Sequence, residues 1–211
     1  MTLIEHALYA LAWLSFGLGH SLLAGARGRR WLGPLVGRWH RLAYNAIATV
    51  HIALVIGVGR AVFAGDVAPF ARPLWLELLQ GTALLAALAL FVAGGRRYDL
   101  ARLLGTRPER EDGPPEPLVT TGLHAHLRHP LYAGAHLFFL GAATDPFRLA
   151  TALWAALYLA VGTMFEERRL LAVHGASYAD YRRHVPALIP RLRPYRPRRA
   201  AADAPTSSHR R

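Results

Sequence analysis

The chain has 211 residues, 53% of them hydrophobic, with no cysteine and 25 basic side chains, all arginine, against 13 carboxylates. Without cysteine neither a disulfide-stapled domain nor a thiolate metal site can be built, and so apolar a composition, with a mean hydropathy of +0.20, excludes a disordered basic tail protein. A net charge of +12 in such a chain requires the charges to be segregated along the sequence.

Charge-free runs mark out the elements in order. Between Glu5 and Arg27 lie 21 residues without a formal charge, and between Arg41 and Arg60, and again between Glu77 and Arg96, lie 18. Each approaches the ~20 residues that cross a hydrocarbon core of about 30 Å at about 1.5 Å per residue. These are the first three predicted transmembrane helices. Arg128 to Asp145 then encloses 16 uncharged residues and Arg148 to Glu166 encloses 17. Joined by Thr144-Asp145-Pro146-Phe147, the two runs predict a helical hairpin, the fourth and fifth helices of an all-α integral membrane fold. A soluble helix needs a polar face, which five successive charge-free runs do not provide.

The first run carries Glu5 in front of it and its arginines, Arg27, Arg29 and Arg30, behind it, which is not the pattern of a cleaved signal peptide. Five arginines lie between Gly25 and Arg41, six between Arg96 and Arg128, and eleven from Arg168 onward, against three, Arg60, Arg72 and Arg148, at the opposite ends of the spans. The positive-inside rule then predicts an N-terminus outside and a C-terminus in the cytoplasm. The segment Arg191 to Arg199 reads as topogenic or as a contact to the anionic headgroups of the bilayer, rather than as a nucleic-acid patch. One membrane-embedded domain is expected over residues 1–199, with a disordered basic tail over 200–211.

Polar residues gather in two places, Pro117 to Tyr132 before and into the fourth helix, and Phe165 to Tyr181 after the fifth. A short hairpin puts those ends side by side, so the two clusters are expected to form one site. Ionisable groups at the inner edge of a bundle are costly to desolvate and are candidates for function. Taken singly, His124, His126 and His129 read as interfacial residues bonded to backbone or water, and Glu166 as an exposed ion-pair partner of Arg169. No metal is expected, because cysteine is absent, Pro130 follows His129, and the histidine boxes of membrane di-iron oxygenases do not occur.

In combination the motifs resemble a family. Gly122-x-His124-x-x-x-Arg128-His129-Pro130-x-Tyr132-x-Gly134 is followed by Asp145-Pro146, Glu166-Glu167-x-x-Leu170, His174-Gly175, Tyr178-x-x-Tyr181 and Val185-Pro186-x-x-Ile189-Pro190. This series resembles the isoprenylcysteine carboxyl methyltransferase and phospholipid methyltransferase superfamily over roughly residues 100–190. The N-terminal half, with His20-Ser21-Leu22-Leu23-Ala24, Arg41-Leu42-Ala43-Tyr44-Asn45 and Asp99-x-x-x-Leu103-Leu104-Gly105, is similar to its bacterial branch of NnrU-like proteins and methanethiol methyltransferases.

The resemblance implies a methyltransferase in the bacterial inner membrane that uses S-adenosylmethionine and a small or lipophilic acceptor, a thiol, amine or carboxylate. It implies cofactor contacts at Leu118, Val119, Gly122, His124, Arg128, His129, Pro130, Leu131, Tyr132 and Glu166. Glu166 suits the cationic end of such a ligand through charge-assisted hydrogen bonds, and Tyr132 suits adenine or the sulfonium by stacking or cation–π attraction. An amine or thiol acceptor needs a base, for which His129 and Glu167 are the first candidates and His124 another. His20, Tyr44 and Asn45 are candidates for the acceptor side, each also readable as an interhelical hydrogen bond, Asn45 above all. The prenylcysteine branch carries an arginine where this chain has Gly162, which argues against a carboxylate acceptor. Two other readings stand beside this one: an NADPH-dependent membrane reductase of the sterol-reductase type, whose chains are usually much longer, and a non-catalytic NnrU-like membrane protein.

Overall fold

A computed structural model describes residues 2–65, 68–96, 99–107 and 117–196. The expected tail over 200–211 lies outside the described residues. Seven α-helices and no strand are found among those described: α1 (Leu3–Ala24), α2 (Ala26–Val36), α3 (His40–Val62), α4 (Leu74–Gly95), α5 (Leu100–Leu104), α6 (Pro130–Gly141) and α7 (Pro146–His184). Helix α1 starts at a capping box in which Thr2 accepts from the Glu5 amide at 3.3 Å and the Glu5 carboxylate accepts from the Thr2 amide. At α7, Asp145 accepts the amide of Arg148 at 2.8 Å and Pro146 occupies the first turn, where its missing N–H costs nothing.

Four stretches, Leu3–Ala24, Arg27–Val62, Leu74–Gly95 and Pro146–His184, are long and apolar enough to cross a membrane. Their outward faces suit lipid rather than water: Leu11, Leu14 and Leu18 on α1, Val50, Leu54 and Val58 on α3, and Leu153, Leu157 and Val161 on α7 are exposed at helical spacing. The fourth predicted span is the exception. Helix α6 has 12 residues, a rise of about 18 Å, which falls short of a bilayer core of about 30 Å. The uncharged run overestimates the helix because Pro130 delays its start and Ala142 to Asp145 form the turn.

Packing explains why so short a helix is held in place. Helices α4 and α6 meet through glycines: a Cβ on Gly94 would lie 2.9 Å from the Leu131 side chain, one on Gly134 3.0 Å from Phe91, and one on Gly141 2.8 Å from Leu84. Those pairings run in opposite directions, so the two helices are antiparallel. At the far end the Phe70 amide donates to Thr144 O at 2.9 Å, and the Gln80 side chain donates to Ala143 O at 2.9 Å. The other half of the bundle joins α1, α3 and α7 around Tyr9, Trp13, Phe16, Val55, Phe63, Phe147, Ala150 and Ala155. Within it the Tyr9 hydroxyl pairs with Thr151 Oγ1 at 3.0 Å, so the one polar atom of that buried ring is satisfied.

Candidate functional site

Pro130 removes the backbone N–H at the start of α6 and disfavours helical geometry in its predecessor, so His129 stays outside the helix at φ −123°, ψ 68°. It is buried, with 7% of its surface exposed. Its ring stacks on that of Tyr132, 5.5 Å between centroids and 15° apart in plane. From α7 the Glu166 and Glu167 carboxylates come to meet it. His129 Nε2 lies 3.1 Å from Glu167 Oε1, and His129 Nδ1 lies 3.8 Å from Glu166 Oε2.

Arg128 points the other way along the same junction. Its Nε donates to Glu167 Oε1 at 2.8 Å, and a second guanidinium nitrogen also reaches that carboxylate. A third donates to the carbonyl of Arg182 at 3.0 Å and to that of Val185. Arg182 stands 3.8 Å from Glu167 Oε2. Burial works against charge on Glu167, but the hydrogen bonds from Arg128 and His129 outweigh it and hold the carboxyl below the usual glutamate range. The two polar clusters expected to converge therefore do so.

Behind the junction the chain is sewn to its own C-terminal segment. Gly175, at φ 53° and ψ −127°, breaks α7 and turns its last residues. The extended segment after Val185 then pairs with the one before α6: Arg128 N donates to Pro186 O at 2.9 Å, His129 N to Ala187 O at 3.0 Å, Arg191 N to His126 O at 3.0 Å and Tyr195 N to Ala125 O at 2.8 Å. His126 Nδ1 lies 2.8 Å from Arg191 O, and the Tyr181 hydroxyl donates to His124 O at 2.6 Å. Leu118 packs on the buried cluster of Tyr178, Tyr181 and Val185. Outside it, Tyr195 donates to Asp180 at 2.8 Å, which, with Arg183, holds that carboxyl below its ordinary range.

Of the residues singled out in the sequence, Arg128, His129, Tyr132, Glu166 and Glu167 lie together, with Pro130 and Leu131 forming the first turn of α6. Gly122, at φ 63°, opens the short 3₁₀ turn that carries His124. Val119 is exposed. On the other side, the Tyr44 hydroxyl lies 2.9 Å from His20 Nε2 and 3.0 Å from Nδ1, while the Asn45 carbonyl accepts the Thr49 hydroxyl at 2.8 Å. Sequence reasoning left three contributors without a role: Arg182, the clasp formed by Val185 to Tyr195, and Tyr158. The last was detectable, since Tyr158, Gly162 and Glu166 share one α7 stripe at a spacing of four.

The site's donor set suits a cationic, aromatic-bearing ligand. Glu166 is 35% exposed beside the stacked rings of His129 and Tyr132, and the buried Tyr178 hydroxyl, pushed up to about 12 by burial and then by the neighbouring Glu167 charge, lies beside the Arg128 guanidinium. Among the described residues, no group of three or more His, Cys, Asp or Glu is arranged to hold a metal ion.

Two relatives match most of the chain. The chain is 30% identical over 192 residues to Methanethiol S-methyltransferase of Crocosphaera subtropica, covering 83% of this chain and 71% of that protein. It is also 30% identical over 196 residues to Methanethiol S-methyltransferase 2 of Bradyrhizobium diazoefficiens, covering 84% and 70%. A shorter match, 34% over 79 residues, links 35% of the chain to 33% of Protein-S-isoprenylcysteine O-methyltransferase of Schizosaccharomyces pombe. No family model and no solved structure matches the chain.

Proposed function

Since the chain belongs to the methyltransferase family that contains methanethiol S-methyltransferase and isoprenylcysteine O-methyltransferase, we propose that it transfers a methyl group from S-adenosylmethionine to a small thiol within the membrane. The observation that carries this reading is the junction of Arg128-His129-Pro130 with the Glu166-Glu167 pair. When bound, the cofactor supplies an electrophilic methyl on a sulfonium. Glu166 would attract the cationic end of the ligand, and the His129 and Tyr132 rings would offer a flat face. Leu118, Val119, Gly122, His124, Pro130 and Leu131 frame that space, and Arg128 positions the frame.

Glu167 spends one oxygen on Arg128 and His129 together. In this reading its role, and that of His129, is to fix the cofactor edge so that an acceptor meets the methyl in line. Held alignment of that kind can supply several kcal/mol of the barrier, up to about 7–11 in favourable systems. The thiol class comes from the names of the relatives, and His20, Tyr44 and Asn45 are the proposed acceptor side.

The proposed orientation puts the N-terminus outside and the cofactor edge in the cytoplasm, following the arginines. It makes α6 with its flanks the fifth crossing, since Leu131 adjoins Gly94 at one end of α4 and Thr144 adjoins Phe70 before the other. Calorimetry on the full chain in detergent tests the cofactor directly, with S-adenosylmethionine and NADPH titrated separately. Binding of the first alone, weakened about tenfold or more in Glu166→Ala and Tyr132→Ala, is expected; unchanged affinity in both variants, or NADPH binding instead, rejects the reading.

A further inference from the structure

Three helices bring an aromatic cluster together inside the bundle, on the same side of it as His129. The His20 ring on α1 lies 5.4 Å from Phe16, 5.3 Å from Tyr44 on α3 and 6.1 Å from Tyr158 on α7, and Phe16 lies 5.2 Å from Tyr158. Gly17 faces the Tyr158 ring, and a Cβ there would make an ordinary contact with it at 3.7 Å. The Tyr44 hydroxyl is close enough to either nitrogen of His20 that one ring nitrogen can hold it while the other stays free.

The cluster connects to the cofactor edge along α7. Tyr158, Gly162 and Glu166 are separated by one turn each, so Glu166 stands about 12 Å further along the same face. Between them a Cβ on Gly162 would meet nothing within 4 Å. The cluster also connects to lipid: an apolar groove on α3, lined by Ala46, Ile47, Val50, His51 and Leu54, adjoins it through His51, whose ring lies 5.5 Å from Phe16 and whose Nε2 lies 3.1 Å from Ser15 Oγ.

Resting on the methyltransferase reading, we propose that His20, oriented by Tyr44, is the base that deprotonates a small neutral thiol arriving beside the rings of Phe16, Tyr44 and Tyr158. The expected bases, His129 and Glu167, are engaged with each other and with Arg128. A thiol is a poor nucleophile until it ionises, and a base fixed beside it can take the proton as the new bond forms. The S–H proton passes to the free nitrogen of His20. The thiol sulfur's electron pair forms the new S–CH₃ bond as the old sulfonium S–CH₃ bond breaks, and that bond's pair stays on the departing sulfur as a neutral thioether. The imidazolium then gives one proton to water. A small apolar thiol suits this chemistry, because in its neutral form it can partition from lipid.

The test uses the full chain in lipid nanodiscs with methanethiol as acceptor. In His20→Asn, methylation near neutral pH is expected to fall about 100-fold or more, with the deficit shrinking as the buffer is made alkaline and the thiol ionises unaided. Cofactor affinity by calorimetry is expected to stay unchanged. Tyr44→Phe, which keeps the ring packing, is expected to reproduce the pH-dependent deficit in milder form at an unchanged melting temperature. Independently of turnover, Tyr158→Ala is expected to weaken binding of dimethyl sulfide about tenfold. A wild-type rate in His20→Asn, a deficit that is constant with pH, or dimethyl sulfide binding indifferent to Tyr158 overturns the inference. If the wild-type protein binds the cofactor and methylates amines but no thiol, this inference fails while the methyltransferase reading stands; if it binds no cofactor, both fail.

Discussion

Arg128 and Glu167, 39 positions apart, meet with Arg128 Nε 2.8 Å from Glu167 Oε1 and with both side chains mostly buried, 10% and 14% exposed. The pair ties the segment before α6 to the far end of α7, and the same guanidinium closes on the carbonyls of Arg182 and Val185. Removing one partner leaves the other charge buried. Arg128→Gln is therefore expected to cost about 3–5 kcal/mol and to abolish cofactor binding, read as a fall in the melting temperature and a flat calorimetric titration. Charge reversal of both residues together should recover part of the stability; no recovery would mean that the carbonyl contacts outweigh the ion pair.

The depressed pKa of Glu167 fixes a sign. A carboxyl held below its unfolded value adds stability that is fully present above the ordinary glutamate range, about 4.3, and is lost as pH falls through the lower folded value. The junction is thus expected to withstand mild acid and to weaken only below that range. Thermal melts of the wild type and Glu167→Gln across acidic pH check this. The gap between them should be widest above the glutamate range and should close below it; a gap independent of pH would remove Glu167 ionisation as its cause.

Two glycines separate backbone from packing effects. At Gly175, with φ 53° and ψ −127°, an added Cβ meets nothing within 4 Å, so Gly175→Ala should cost about 1–3 kcal/mol through backbone strain alone. At Gly141 the backbone is ordinary, but an added Cβ would sit 2.8 Å from Leu84 and 2.9 Å from the Gln80 carbonyl, so Gly141→Ala should cost a comparable amount, about 1–3 kcal/mol, by forcing α4 and α6 apart. Gly141→Ala should be partly rescued by Leu84→Ala, whereas no side-chain truncation should rescue Gly175→Ala. Double-mutant melts distinguish the two.

The clasp has its own test. Tyr181→Phe leaves the His124 carbonyl without its 2.6 Å donor and should cost about 1–3 kcal/mol while leaving the helices intact. Circular dichroism should be unchanged, and limited proteolysis after Val185 should accelerate. Unaltered cleavage would show that the backbone pairs from Arg128 to Tyr195 hold the segment without it.

Much of the helical framework was legible because charge is so costly in lipid that arginine-free runs trace α1, α3, α4 and the first part of α7 closely. The length of α6 was not. An uncharged run records where charge is forbidden, and Pro130 and the turn at Ala142 to Asp145 shorten the helix without adding any charge. At the site, the meeting of His129 with Glu166 and Glu167 followed from two polar clusters at the ends of consecutive helices. The clasp was hidden, because it is made by main-chain atoms of Arg128, His129, Pro186 and Ala187, whose hydrogen bonding leaves no trace in side-chain pattern. Tyr158 could have been placed from its spacing of four with Gly162 and Glu166, but its partners Phe16 and His20 on α1 could not.

The pairing of residues 125–129 with residues 186–195 also sets an order of events during synthesis. The helices can enter the bilayer one after another as they leave the ribosome, but the segment that backs His129 is made after all of them. Until Tyr195 has emerged, the nascent chain is a membrane bundle with an open edge. A chain that stops short of the clasp would therefore leave the main-chain amides of Arg128 and His129 without these partners.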